Sequence, residues 1–289
     1  MVSLSWGFLL ACSIACHATA HSIDSNYRID VHSHAIPEIW KQAMISAGFP
    51  IENGTLYNDG APVPDWSLDT HITSMDTLGL GKLTYSFTTT RKPIQLDWEH
   101  SVFFLFLMSA RRSKSLRYNV FLPIWLGAHP DFCLYLGNFD LEPIFKALDK
   151  RSAGVFVHPA SPACTSVGLG HPMPMIEYPF DTVRAIENLL LTGQRARYPD
   201  LNIIFSHGGG AIPYLATRIA GVATLPYEGG IEFPETLAQL AGYYFDLASA
   251  TSAIQLAALK SFIGAKKLVT GIDCTAGASR YTKQWQLYR

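Results

Sequence analysis

The chain of 289 residues carries 22 Lys and Arg against 23 Asp and Glu, so it is close to neutral, and 48% of it is hydrophobic. That balance excludes a strongly basic face for nucleic acid or for an anionic membrane surface, and the many aromatic residues exclude a disordered chain. The apolar content suits one large core, with a single-domain barrel of about 250 residues as the natural architecture.

The chain opens on an apolar run, Leu4 to Ala15, followed by Ala18-Thr19-Ala20 as a small-residue cleavage site before His21. Residues 1–20 therefore read as a secretory signal, although no Lys or Arg precedes the apolar run. The run is too short to span a bilayer. A genuine leader directs the chain to the secretory pathway or the exterior, and without one the chain is cytosolic. Residues 21–289 form a single domain on either reading. Loss of the leader removes Cys12 and Cys16, and Cys133, Cys164 and Cys274 are too scattered for a disulfide framework. Asn53-Gly54-Thr55 is a glycosylation acceptor in a secreted chain.

Next comes Tyr27-Arg28-Ile29-Asp30-Val31-His32-Ser33-His34. Strand side chains alternate faces, so His32 and His34 point one way while Ile29, Val31 and Ser33 point the other. Further strands are expected at Lys82–Phe87, Val120–Leu126, Ala153–His158, Asn202–Ser206, Tyr243–Leu247 and Lys267–Gly271, after a first at Arg28–His32. Helices are expected at Ser67–Leu78, Leu141–Lys150, Phe180–Thr192, Ile212–Ala223, Pro234–Gln239 and Ser252–Ile263. Gly193 and Pro199-Asp200 stand before the strand that ends at His207, and Gly264 before the one that ends at Asp273. Strands alternating with helices specify a parallel α/β fold, here a TIM-type (β/α)8 barrel.

Two regions do not fit that pattern. Between Lys92 and Asn119 a dense apolar cluster, Val102 to Met108, runs directly into Arg111-Arg112-Ser113-Lys114 without turn or cap signals. Two full βα units should lie between the second and fifth strands, and only fragments of them are legible. After Asp273 only sixteen residues remain, scarcely enough for a closing helix. An incomplete ring around residues 92–133 and at the C-terminus is therefore expected.

The polar residues fall where the strands end. His32 and His34 close the first strand, His158 closes Gly154-Val155-Phe156-Val157, His207 closes Ile203-Ile204-Phe205-Ser206, and Asp273 closes Leu268 to Ile272. In a (β/α) barrel those carboxyl ends meet at one mouth, where active sites form. Taken singly, each has an ordinary explanation: a turn histidine, a strand stop before Pro159, a flexible Gly208-Gly209-Gly210 turn, a helix cap at Asp273. Their coincidence at successive strand ends points instead to a divalent-metal site of imidazoles and a carboxylate. Such a donor set suits Zn2+, with Mn2+ also plausible. His17, His21, His71, His100, His129 and His171 lack this context and read as leader, surface or loop residues.

A family resemblance rests on Arg28-Ile29-Asp30-Val31-His32-Ser33-His34-Ala35-Ile36-Pro37, Pro64-Asp65-Trp66-Ser67-Leu68, Met75-Asp76-Thr77-Leu78-Gly79 and Tyr135-Leu136-Gly137-Asn138. It continues through Leu141-Glu142-Pro143-Ile144-Phe145, Val157-His158-Pro159-Ala160-Ser161-Pro162, Ile176-Glu177-Tyr178-Pro179-Phe180-Asp181-Thr182 and the stretch from Phe205 to Leu215. These motifs resemble the amidohydrolase-related decarboxylases typified by aminocarboxymuconate semialdehyde decarboxylase. Within that group they are most similar to the fungal 6-methylsalicylate decarboxylases of polyketide pathways. The resemblance covers Arg28 to about Thr90 and Tyr135 to about Asp273, and Lys92 to about Cys133 departs from it.

The resemblance implies that His32, His34, His158 and Asp273 hold one divalent ion, with His207 catalytic beside it and no organic cofactor. It implies non-oxidative decarboxylation of a small hydroxybenzoate, such as 6-methylsalicylate to m-cresol and carbon dioxide. Proton delivery falls to Asp273 or His207. The expected partners are a small aromatic acid and, as an assembly, a homodimer, with neither nucleic acid nor membrane. Tyr178 and Phe180 read as core residues, with a pocket wall as the other reading. Two alternatives stand beside this one: a metal-dependent lactonase or amidase on the same scaffold, and a degenerate copy without activity.

Overall fold

The computed structural model describes residues 28–58, 61–78, 80–87, 135–159, 171 and 173–275. Strand β1 (Arg28–Ala35) lies between two parallel partners, β5 (Leu80–Phe87) and β10 (Cys274–Thr275). A second parallel sheet runs in the order β6 (Gly154–Val157), β7 (Asn202–Phe205), β8 (Tyr244–Asp246), β9 (Leu268–Val269). The backbone joins these arcs: Val31 N–H donates to the Thr270 carbonyl at 3.0 Å, and Asp273 N–H to the His32 carbonyl at 2.9 Å. The stretch from β9 to β10 thus crosses from partner β8 to partner β1. The strands occupy consecutive places of a (β/α)8 barrel, the fold expected from the sequence.

Alternation along the strands sorts the side chains into two layers. Val155, Val157, Ile203, Phe205, Tyr243 and Phe245 enter one apolar cluster with helix residues such as Ile186, Leu189, Ala216 and Leu259. Phe156, one residue out of phase, lies on the other face with its ring 5.1 Å from that of His32. A slip of one residue in any strand would exchange these sets and bury the polar ends in the helix layer. Register is therefore fixed by the same pattern that places the site.

The helix at Ile212–Ala223 falls where the sequence puts it. The helix at Glu177–Leu191 starts three residues before the expected Phe180, because Pro179 sits in its first turn, where a missing N–H leaves no bond unmade. Ser252 caps the helix at Ala253–Ile263, its hydroxyl accepting from Gln255 N–H in a reciprocal capping box. The short helix at Gln194–Arg197 was not legible. Nor were the helix at Glu38–Ser46 and the antiparallel ribbon β2 (Ile51–Glu52), β3 (Thr55–Asn58), β4 (Ala61–Pro62). Together they enclose a small core of Met44, Phe49 and Leu56.

The leader, the strand expected at Val120–Leu126, the segment from Lys92 to Cys133, the C-terminal tail and Cys164 lie outside the described residues, as do His17, His21, His100 and His129. Among the described residues no helix is long and apolar enough to cross a membrane.

Candidate metal centre

β1 contributes two histidines through an irregular strand. Its pairing with β5 slips by one residue between Asp30 and Ser33, a bulge that inserts an extra β1 residue just before His34. Asp30 holds the bulge: its carboxylate accepts from His32 N–H at 3.0 Å, from Ile272 N–H at 3.1 Å and from the Ser33 hydroxyl. Ser33, expected on the opposite face, is accordingly wholly buried beside Asp30. Burial raises the Asp30 carboxyl from 3.8 to about 6 against these bonds.

The strand ends bring together donors from across the chain. His32 Nε2 is 3.2 Å from His34 Nε2, and Asp273 Oδ1 lies 2.9 Å from His34 Nε2 and 3.4 Å from His32 Nε2. The His158 ring stands perpendicular to both, with centroids 5.0 and 5.1 Å away. One donor atom from each of His32, His34, His158 and Asp273 lies within 4.8 Å of every other. Donors bound to a single ion at zinc–nitrogen lengths are separated by about 3.3 Å in a tetrahedron. The nearest pairs here are spaced to fit.

Two of the histidines are oriented by their outer nitrogens. His32 Nδ1 meets Asp246 Oδ2 at 2.7 Å, and His158 Nδ1 meets the Pro159 carbonyl at 2.7 Å. A carbonyl only accepts, so the His158 proton sits on Nδ1 and the Nε2 lone pair is directed into the cluster. His34 and His158 are held below the ordinary histidine range, chiefly by burial, His158 well below it with help from its imidazole neighbours. Burial also opposes a charge on His32, but Asp246 and Asp273 outweigh it and lift that ring to about 9. Burial acts against ionised Asp273 as well; nearby His32, with bonds from His207 and His34, keeps its carboxyl well below the usual carboxylate range. His34, His158 and Asp273 are thus in the protonation states that ligation requires, whereas His32 must lose a proton first.

His207 completes the group. Its ring centroid is 5.0 Å from that of His32 and 5.1 Å from that of His158, and Nε2 lies 3.5 Å from Asp273 Oδ2. Its Nδ1 is buried without a hydrogen-bond partner among the described residues. His207 and Asp273 both adopt left-handed backbone angles, φ 55° and 57°, which cost a non-glycine residue roughly 1–3 kcal/mol each. The turn after His207 tolerates no side chain: a Cβ on Gly210 would overlap the Pro179 carbonyl, and one on Gly209 the Phe245 ring. Gly208-Gly209-Gly210 is thus a fixed wedge between two helices and a strand.

All five positions singled out in the sequence converge. The sequence reading passed over Asp246, an acid inside the strand expected at Tyr243–Leu247, and gave Asp30 no role. It was wrong about His71. That side chain is buried, accepts from Trp66 Nε1 at 3.1 Å, and is held low by burial and by neighbouring His34. It was also wrong about Phe180, which is exposed rather than packed in the core. Tyr178 is buried as expected, with its ring edge-on to His158 at 6.0 Å. His171 is exposed.

The fold is that of the amidohydrolase-type barrels. The structure aligns with a solved amidohydrolase II over 90% of both chains at a TM-score of 0.73 and 22% identity. It aligns with a dihydroxybenzoic acid decarboxylase of Polaromonas sp. JS666, solved with manganese and 2-nitroresorcinol, over 90% of both at 0.66 and 18%. No protein-family model matches the chain. Its curated relatives are decarboxylases. The 6-methylsalicylic acid decarboxylase of Penicillium expansum is 37% identical over 141 residues, 48% of this chain and 44% of that protein. In that alignment the chain spans less than half the relative's length. The 6-methylsalicylic acid decarboxylase acuB of Aspergillus aculeatus is 27% identical over 290 residues, 85% of this chain and 83% of that protein.

Proposed function

We propose that the chain is a metal-dependent, non-oxidative decarboxylase of a small ortho-hydroxybenzoate, with 6-methylsalicylate as substrate and m-cresol and carbon dioxide as products. One observation carries the reading: three imidazoles and an ionised carboxylate converge at the carboxyl ends of parallel barrel strands, with His207 beside them. The names of the curated relatives support the substrate class.

His32, His34, His158 and Asp273 would hold the ion, Zn2+ by donor type, or Mn2+ as in the Polaromonas structure. A divalent cation bound there would polarise the phenol and carboxylate oxygens of the substrate and offset charge on the ring. Asp273 is held ionised, so it suits ligation and the acceptance of a proton bond from His207 better than proton donation. Proton delivery therefore falls to His207. It gives a proton to the ring carbon that bears the carboxylate, the carbon–carbon bond to the carboxylate breaks, and its electron pair returns to the ring. Carbon dioxide leaves, aromaticity is restored, and His207 recovers its proton from solvent. Tyr178 places an aromatic surface beside His158 along one side of the site.

Protein loaded with Zn2+ or Mn2+ is incubated with 6-methylsalicylate, 2,6-dihydroxybenzoate and a panel of aryl esters and lactones. Release of m-cresol and carbon dioxide from the first is expected. Turnover of esters or lactones alone replaces this reading with a hydrolase. An ion-loaded protein that decarboxylates no hydroxybenzoate refutes it.

A further inference from the structure

Asp246 touches two functional residues at once. Its Oδ2 meets His32 Nδ1 at 2.7 Å, while Oδ1 accepts from His207 N–H at 2.7 Å and from Ala248 N–H at 3.0 Å. Both Asp246 and His32 are wholly buried. Space around the carboxylate is closed by Gly271, where a Cβ would lie 2.8 Å from the Asp246 carboxyl carbon and 3.0 Å from Oδ2. Every oxygen of this carboxylate has a partner and no room to turn.

The bonds to the backbone fix the polarity. Two N–H groups on Oδ1 favour the carboxylate, so Oδ2 accepts from His32 and the neutral ring carries its proton on Nδ1. The His32 Nε2 lone pair is then aimed at His34 and Asp273. The same carboxylate holds the backbone of His207 at its left-handed φ of 55°. We infer that Asp246 is a positioning residue that fixes the tautomer of His32 and the turn of His207 together, so that ligand and catalytic ring address one point. The inference rests on the metal-site reading of the cluster, and it adds a residue that acts on that site only through two others.

Asp246→Asn tests it. The amide keeps an oxygen for the two backbone N–H groups, but presents its N–H to His32 Nδ1 and drives the ring proton to Nε2, where it blocks ligation. Two-bond 15N–1H correlation spectra of metal-free protein, taken above the pH at which the His32 signals stop shifting, should show Nδ1–H in the wild type and Nε2–H in the variant. Zn2+ affinity by chelator competition should fall 10- to 100-fold. The same tautomer in both proteins, with equal Zn2+ affinity, overturns the inference. Gly271→Ala is the second probe: it presses a methyl on the carboxylate without changing its chemistry. It should weaken Zn2+ binding several-fold with an unchanged circular dichroism spectrum; undiminished affinity counts against the inference. If Asp246→Asn loses Zn2+ while the wild type binds it yet decarboxylates no hydroxybenzoate, the positioning role stands and the proposed reaction falls.

Discussion

Loading metal-free protein with one Zn2+ at pH 7 should release about one proton, and that proton should come from His32. The ring lies between Asp246 and Asp273, whose charges lift it to about 9 despite burial. At pH 7 it is therefore almost wholly an imidazolium, and Nε2 must be vacated before it can ligate. His34 and His158 are shifted the other way and have no proton to give, and Asp273 is already ionised. Apparent affinity should rise about tenfold per pH unit from 7 to 9 and then flatten, a gain of about 3 kcal/mol over the span. Titration calorimetry in buffers of different ionisation enthalpy that do not chelate zinc counts the protons directly. Release of none would mean that His32 is neutral before loading. Release of two or more would mean that the deeper rings are charged. Either result refutes the electrostatic account of the site.

Three further outcomes are expected. His158→Ala removes a donor whose other nitrogen bonds to the Pro159 carbonyl. Zn2+ affinity should drop by more than the roughly 10–100-fold expected of an outer partner, with the circular dichroism spectrum retained; a variant keeping both ion and turnover removes His158 from the site. For Asp30, a carboxyl raised from 3.8 to about 6 adds stability that is fully present below pH 4 and is lost as the pH rises through 6, about 3 kcal/mol in all. Asp30→Asn keeps acceptors for His32 and Ile272 but cannot ionise. Urea melts of the metal-free proteins should show the variant gaining on the wild type from pH 4 to 7.5, and a pH-independent difference contradicts the buried-charge argument. Gly210→Ala meets both a disfavoured backbone (φ 62°, ψ −123°) and the Pro179 carbonyl. It should cost at least about 3 kcal/mol in denaturant melts, and a loss below 1 kcal/mol would show that the wedge can relax.

The strand ends were legible because two signals coincide there, a short continuous apolar run and a polar residue that closes it. His158 and His207 are set apart in this way from Gly154–Val157 and Asn202–Phe205. Asp246 escaped notice because it falls inside the strand expected at Tyr243–Leu247 rather than closing it, and its carboxylate is buried against His32 of β1, a partner distant in sequence. His71 was misread for a related reason. It lies among Asp69, Thr70 and Thr73 on a helix with polar neighbours, and its burial comes from tertiary packing that includes Trp66. Where burial depends on an element far along the chain, local pattern carries no signal for it.

The candidate ligands are neighbours around the barrel. His158, His207, Asp246, Asp273 and the His32–His34 pair come from strand ends that are adjacent around the ring, in the order β6, β7, β8, β9–β10 and β1. Each is held by bonds from within that arc: Asp246 to His32 and His207, Asp30 to Ile272, Asp273 N–H to the His32 carbonyl. Among the described residues, the four donor atoms that converge all come from this arc. The four candidate donors therefore lie on one contiguous arc of the described strands. If that arc holds the ion by itself, substitutions within Lys92–Cys133 should leave Zn2+ affinity as it is. Loss of Zn2+ binding on substitution there, with the fold retained by circular dichroism, would show that the arc does not hold the site by itself.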